Sequence, residues 1–195
     1  LIPSYAETFG RLKVDVASVY FMGQNKFRQQ DILFNMNVIT LISSGLLIGL
    51  ILWQFEFLYQ LLFSESENGY RLHIFVLLIQ IPLQFLSLNY SYFHIARENV
   101  TVYNRKTIIQ VWSYSIIAVS LLLLTSLKLW SIIIASVVSI ALSMFYGFWK
   151  VDRTSWGRAS WNGSLSWNMI CYGFNFYMAG ILGQLHEQGT RTIMV

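Results

Sequence analysis

The sequence predicts an all-α protein, a polytopic helical bundle embedded in a membrane. Of its 195 residues, 55% are hydrophobic and only 11% are charged, and the mean hydropathy is +0.53. Soluble domains usually carry about 25% charged residues, so a water-soluble globule is not expected. The strongest stretch runs from Thr107 to Trp149 and contains one charged residue, Lys128. As one helix it would be about 60 Å long, roughly twice a hydrocarbon core, so it predicts two spans joined by a turn at Thr125–Trp130.

Charge and cysteine content narrow the class of protein further. The net charge of +4 is small and spread among apolar runs, which does not favour nucleic-acid binding. A basic excess in a membrane protein is typical of cytoplasmic loops. The single cysteine, Cys171, excludes an internal disulfide. The chain opens on Leu1 with no basic stretch ahead of an apolar core, so no signal peptide is predicted, and we expect the chain to be a fragment.

We predict about six spans in chain order, at 1–22, 32–53, 72–95, 107–125, 130–149 and 164–185. The first is the least apolar, and Glu7, Arg11 and Asp15 follow each other at four-residue spacing. Such spacing predicts a charge ladder along one helical face. The ladder fits an amphipathic surface helix with solvated ion pairs. It also fits a spanning helix whose charged stripe faces a water-filled cavity.

The third span carries a polar stripe. Its members follow one another at spacings of four, three, four and three residues: Gln80, Gln84, Ser87, Ser91 and His94. This spacing predicts a single face of a helix, which Pro82 should kink. The stripe would either hydrogen-bond neighbouring helices or line a cavity that offers amides and hydroxyls to a polar ligand.

Small and amide side chains mark the last two spans. Ser139, Ser143 and Gly147 recur every four residues, which predicts a face that another helix approaches closely. In the sixth span Asn168 and Asn175 share a face, and several glycines favour close packing or bending.

The loops between the spans predict the orientation of the chain. Basic residues lie in the polar loops at 23–31, 97–106 and 150–163, whereas the loop at 54–70 is acidic. Basic short loops mark the cytoplasmic side. We therefore predict a multi-pass protein of the inner (cytoplasmic) membrane, with the acidic loop and the turn at Lys128 on the outer side.

Three common motifs of phosphate-binding, catalytic and metal-binding sites do not occur in the sequence. Phosphate-cradling GxxxxGK[ST], GxSxG and HExxH are all lacking. His73, His94 and His186 lie in different segments, without cysteine or carboxylate at ligand spacing, so neither a metal nor a cofactor is predicted. His94 has the chemistry of a general base, but a lone helical histidine is more often a hydrogen-bonded structural residue. We expect a protein that is not an enzyme.

Three stretches resemble one family. The run Val-Asp-Val-Ala-Ser-Val-Tyr-Phe-Met-Gly at 14–23, followed by Lys26, is similar to the end of the second helix in polysaccharide and O-antigen flippases. These belong to the multidrug/oligosaccharidyl-lipid/polysaccharide exporter superfamily. The segment 102–104 resembles the loop entering that family's fifth helix, and 165–191 resembles its seventh helix.

The resemblance implies one lobe of a V-shaped exporter, with 1–195 as a single membrane domain covering about helices two to seven. Such a flippase moves lipid-linked oligosaccharide, such as lipopolysaccharide precursors, to the outer leaflet by alternating access. A sugar headgroup and its phosphates cross hydrocarbon only when a wet cavity supplies cations and amides. The side chains expected to line it are Glu7, Arg11, Asp15, Gln80, Gln84, Ser87, Ser91, His94, Asn168 and Asn175.

In that cavity we expect Arg11 to contact the headgroup phosphate, with Glu7 and Asp15 holding it in place. The implied partners are the lipid-linked substrate, membrane lipids and other proteins of polysaccharide assembly. Two other functions stay open. A drug or cation exporter of the same superfamily should have an aromatic, acidic cavity. A membrane-embedded acyltransferase or polymerase of cell-surface polysaccharide synthesis would need His94 or an intramembrane carboxylate.

Overall fold

The computed structural model describes residues 11–62, 71–151 and 159–193, and across these ranges the ordered elements are all helical. The helices are α1 (Val14–Gly23), α2 (Gln29–Trp53), α3 (Phe55–Leu62), α4 (Arg71–Ala96), α5 (Val100–Leu124), α6 (Leu129–Trp149) and α7 (Gly163–Ile193). The predicted all-α class is therefore confirmed.

Four of these helices, α2, α4, α5 and α6, are long and apolar enough to cross a membrane. They contain, to within one residue, four of the predicted spans: 32–53, 72–95, 107–125 and 130–149. The predicted first and sixth spans, 1–22 and 164–185, are not among the helices that meet this criterion in the described ranges.

The first predicted span differs from the structure at its N-terminal side. Leu12 and Lys13 both have a φ of 50°, in the left-handed region, and α1 begins only at Val14. A right-handed helix does not continue through such residues. Arg11 and Asp15 are therefore not on the face of one continuous helix, and Glu7 lies outside the described residues.

The left-handed segment packs against α7 at Gly173. A Cβ added there would contact Leu12 O and would lie 2.9 Å from the carbonyl carbon and oxygen of Lys13. Only glycine leaves room for backbone this close. The predicted role of α7 glycines in close packing is confirmed at this position.

The predicted polar loop at 97–106 is much shorter in the structure. Because Asn99 Oδ1 accepts a hydrogen bond from the backbone N–H of Val102 at 3.3 Å, α5 is capped at Asn99 and begins at Val100. Lys106 is consequently a helical residue and is only 3% exposed. The predicted acidic loop at 54–70 also differs, since its first part forms α3.

The central element of the bundle is α4. Its C-terminal half packs with α1, α2 and α7 around a core that includes Met36, Phe93 and Leu165. Its N-terminal half packs on α2 through Leu78, Ile81 and Phe85. The opposite side of α4 faces α6, whereas α5 packs mainly on α6. Only two residues of α5, Lys106 and Ala118, are buried.

The helices α4 and α6 run parallel to each other. The rings of His73 and Trp130 are 4.3 Å apart near their N-terminal ends. Near their C-terminal ends His94 Nε2 lies 3.0 Å from Gly147 O. The starts of α4 and α6 therefore lie at the same end of the bundle, which agrees with the alternation of sides predicted from the loop charges.

Candidate functional site: two buried cations beside helix α4

The small-residue face of α6 forms the base of the first site. Ser139, Ser143 and Gly147 are all buried. Ser143 Oγ donates to Lys106 O at 3.3 Å. A Cβ added to Gly147 would lie only 2.9 Å from the Cβ of Tyr90. The predicted close helix approach along this face is confirmed, and it brings α4, α5 and α6 together at one point.

The Lys106 side chain occupies that point. Its stem passes Gly147, where an added Cβ would lie 3.3 Å from Lys106 Cδ and Cε. Its ammonium donates to Ser87 Oγ and Ser91 Oγ, both at 2.8 Å. Among the described residues, the cations that pair with carboxylates are arginines, and Lys106 is not one of them. The hydrogen-bond partners of its ammonium are neutral hydroxyls. The last turn of α6 lies beside it, and a helix C-terminus carries partial negative charge that favours a cation.

His94 completes the three-helix junction. It is 1% exposed, and because a carbonyl can only accept, its Nε2 donates to Gly147 O at 3.0 Å. Together with Ser87 and Ser91, it uses the predicted stripe of α4 for contacts with neighbouring helices. At this junction the stripe residues hydrogen-bond to neighbouring helices, which is one of the two roles predicted for them. Their partner Lys106 could not be identified from residue spacing alone.

The rest of the stripe lies farther toward the start of α4. Gln80 is buried, and its Oε1 has no hydrogen-bond partner among the residues that the structure describes. Gln84 is half-buried. The stripe is therefore one continuous face of α4, as predicted, and its contact with substrate stays a prediction.

The second site is the Arg11–Asp15 pair. Arg11 Nη2 lies 2.8 Å from Asp15 Oδ2, and the guanidinium carbon is 5.6 Å from the ring centre of Tyr92 on α4. Arg11 is 6% exposed, and Asp15 is buried as well. Asp15 Oδ1 has no hydrogen-bond partner in the described part of the chain. The structure thus brings two of the three residues of the predicted ladder together, although not through a continuous helix.

Asn168 and Asn175, also predicted to line a cavity, are both exposed on α7. The structure does not bring them into either buried cluster. The predicted site residues therefore divide into the junction on α4, the Arg11–Asp15 pair and an open face of α7.

A polar cluster between α2 and α4 was not predicted. Asn89 Nδ2 donates to Asn37 Oδ1 at 3.0 Å and to Thr40 Oγ1 at 2.9 Å. Asn37 Nδ2 in turn donates to Tyr90 Oη at 3.4 Å. The only sign of this cluster in the sequence was the presence of amide side chains within apolar helices. Buried polar groups at such positions need hydrogen-bond partners, but the sequence does not say which.

A second unpredicted cluster joins α2 to the start of α7. Asn35 Oδ1 accepts from the Asn162 N–H at 2.9 Å and from Ser166 Oγ at 2.7 Å. Asn35 Nδ2 donates to Ser160 O at 3.0 Å, and Asp31 Oδ1 accepts from the Ser160 N–H at 2.9 Å. These hydrogen bonds hold the segment that leads into α7 against α2, and we interpret them as structural.

Comparison with protein-family models, curated proteins and solved structures gives no match for this chain. The assignment of function therefore depends on the side chains that the fold brings together. Within the described ranges, no group of three or more His, Cys, Asp or Glu side chains is arranged to hold a metal ion.

Proposed function

We propose that this protein is a flippase that moves a lipid-linked oligosaccharide or polysaccharide precursor across the cytoplasmic membrane by alternating access. The observation that carries the proposal is the Arg11–Asp15 pair, buried against α4, a helix of membrane length. Ionisable groups are expensive in such surroundings and generally mark a substrate or ion pathway. The resemblance of 14–23, 102–104 and 165–191 to polysaccharide flippases supports a lipid-linked sugar as the substrate.

The pair has the chemistry that a phosphate contact requires. A guanidinium stays charged at any working pH and grips phosphate oxygens through two parallel hydrogen bonds. Asp15 occupies one side of it at 2.8 Å, which lowers the cost of keeping the cation dehydrated when no substrate is bound. The Tyr92 ring adds a cation–π contact. Because Arg11 is buried in this conformation, its contact with substrate belongs to another state of the transport cycle.

Graded substitution of Arg11 tests the proposal. The intact protein is reconstituted in vesicles with a fluorescent lipid-linked oligosaccharide, and movement between leaflets is followed by an impermeant quencher. We expect Arg11→Gln to abolish movement and Arg11→Lys to retain part of it, because lysine keeps the charge but loses the two-pronged geometry. The matched control is Lys26→Gln, which removes an exposed cation from the loop after α1 and should leave transport unchanged.

Three results would count against the proposal. If Arg11→Gln transports normally, or only lowers the amount of folded protein, Arg11 is structural. If the wild-type protein moves no lipid-linked sugar, the function is wrong. If the same vesicles instead accumulate a cationic drug, the protein is a drug exporter of the same superfamily.

Catalysis by His94 is the other open function. Its Nε2 donates to Gly147 O and its ring is 1% exposed, an environment that favours a packing role over proton transfer to a substrate. An acyltransferase or polymerase would change the lipid-linked substrate covalently. Mass analysis of the substrate recovered from the vesicles separates that outcome from transport.

A further inference from the structure

The short helix α3 lies between the end of one membrane-length helix, α2, and the start of another, α4. The 25 residues of α2 and the 26 residues of α4 each extend for nearly 40 Å, roughly 10 Å more than a hydrocarbon core. The C-terminal end of α2, at Trp53, and the N-terminal end of α4, at Arg71, therefore lie near the lipid–water interface. The helix α3 begins at Phe55, two residues after α2 ends.

Side-chain contacts hold α3 at that level. The ring of Phe55 stacks on Phe75, with centroids 4.9 Å apart. The guanidinium of Arg71 donates to both carboxylate oxygens of Glu56 at 3.1 Å, and it also lies 5.1 Å from the ring centre of Tyr59. Every one of these partners on α4 belongs to its first five residues. The helix α3 is thus fixed beside the start of α4.

Large apolar side chains and one ion pair are exposed on and beside α3. Trp53 is 77% exposed and Phe57 is 62% exposed, and Leu72 on α4 is similarly open. The Glu56–Arg71 pair is also exposed. Large aromatic side chains beside a solvated ion pair are the chemistry of the membrane interface, where rings lie at the headgroup level. A short helix with this composition lies in the plane of the interface, with its apolar side toward the acyl chains.

We propose that α3 is an interfacial helix that binds the lipid surface at which α2 ends and α4 begins. Phe57 and Trp53 lie at the boundary between headgroups and acyl chains, and the Glu56–Arg71 pair lies among the headgroups. This assignment does not depend on the transported substrate. With the orientation predicted from the loop charges, the surface is the outer leaflet.

Depth-dependent quenching tests this assignment in the intact protein. With the exposed Cys171 replaced by serine, Phe57→Cys is labelled with an environment-sensitive fluorophore and reconstituted in vesicles of zwitterionic and anionic phospholipid. Nitroxides are placed either near the headgroup or near the end of the acyl chain. The matched control is Ile116→Cys, an exposed position well inside the apolar span α5.

We expect the shallow nitroxide to cause the larger loss of fluorescence at position 57 and the deep nitroxide the larger loss at position 116. Trp53→Cys provides the same measurement if Phe57→Cys does not fold. Quenching at position 57 by aqueous iodide alone would place α3 in water and overturn the assignment. Protection from iodide and from both nitroxides would mean that protein, such as a second copy of the chain, covers α3, which also overturns it.

Discussion

Replacing Gly147 by alanine should separate the helices that meet at the Lys106 junction. The added Cβ would lie 2.9 Å from Tyr90 Cβ, whereas carbon atoms pack best at about 3.5–4.0 Å. Because a Cβ is fixed to its backbone, Tyr90 cannot rotate away, and α4 and α6 must move apart by about 0.6–1.1 Å. That movement would lengthen the hydrogen bond from His94 to Gly147 O. It would also weaken the packing of the Lys106 side chain against Gly147.

A matched variant isolates the steric part of this effect. Gly49→Ala lies inside α2 and its added Cβ meets nothing within 4 Å. Both variants gain helix propensity of about 1 kcal/mol, so this contribution cancels in the comparison. The remaining difference is the cost of overpacking, about 1–3 kcal/mol, by which we expect Gly147→Ala to be the less stable protein.

Thermal unfolding in one detergent, followed by intrinsic tryptophan fluorescence, measures the difference. For a protein of about this size, 1 kcal/mol corresponds to a Tm shift of roughly 2–4 °C. We therefore expect the Tm of Gly147→Ala to lie several degrees below that of Gly49→Ala. If the two variants have the same Tm, the close approach of α4 and α6 at Gly147 is not part of the folded state, and the account of the junction fails.

Two further predictions concern the α1–α7 contact and the orientation. Gly173→Ala should lower the Tm well below that of Gly180→Ala, since the former meets the backbone of Leu12 and Lys13 and the latter meets nothing within 4 Å; equal Tm values would contradict the packing described. In intact cells, with Cys171 replaced, an impermeant thiol reagent should label Lys128→Cys and spare Lys26→Cys, because the loop charges predict that these exposed positions lie on opposite sides. The reverse labelling pattern would show that the orientation is inverted.

The membrane-length helices could be predicted because their signal is local. A long run without charge is costly to expose, so α2, α4, α5 and α6 follow from hydropathy alone. The start of α5 could not be found in this way, since hydropathy counts Lys106 as a loop residue. Its burial depends on Ser87 and Ser91 of α4, which supply hydrogen bonds that no window of sequence contains. The helical conformation at Lys106 follows from the local cap at Asn99, whereas its burial depends on these tertiary partners.

The same distinction applies to the candidate site. Helical periodicity placed Ser87, Ser91 and His94 on one face, and small residues every fourth position identified the face of α6 that contacts it. Periodicity does not state which helix supplies the partner. The left-handed backbone at Leu12 and Lys13 also had no signal, because such conformations are ordinarily found at glycine or asparagine.

The two buried cations differ in which helices they join, and this difference supports separate roles for them within the proposed cycle. Lys106 is held by two hydroxyls at 2.8 Å while its stem is confined beside Gly147. Withdrawing it would remove hydrogen bonds that join α5 to α4, and α5 has only one other buried residue, Ala118. Releasing Lys106 to a substrate would therefore loosen the bundle itself.

Arg11 is placed differently. It precedes α1, on the far side of the left-handed pair at Leu12 and Lys13, and its backbone oxygen accepts the Val14 N–H at 3.4 Å. Its ion pair uses one oxygen of Asp15, and the other oxygen has no hydrogen-bond partner in the described residues. Turning this guanidinium toward a phosphate would leave the hydrogen bonds of the α4–α5–α6 junction in place. For this reason the proposal assigns substrate contact to Arg11 and the joining of α4, α5 and α6 to Lys106.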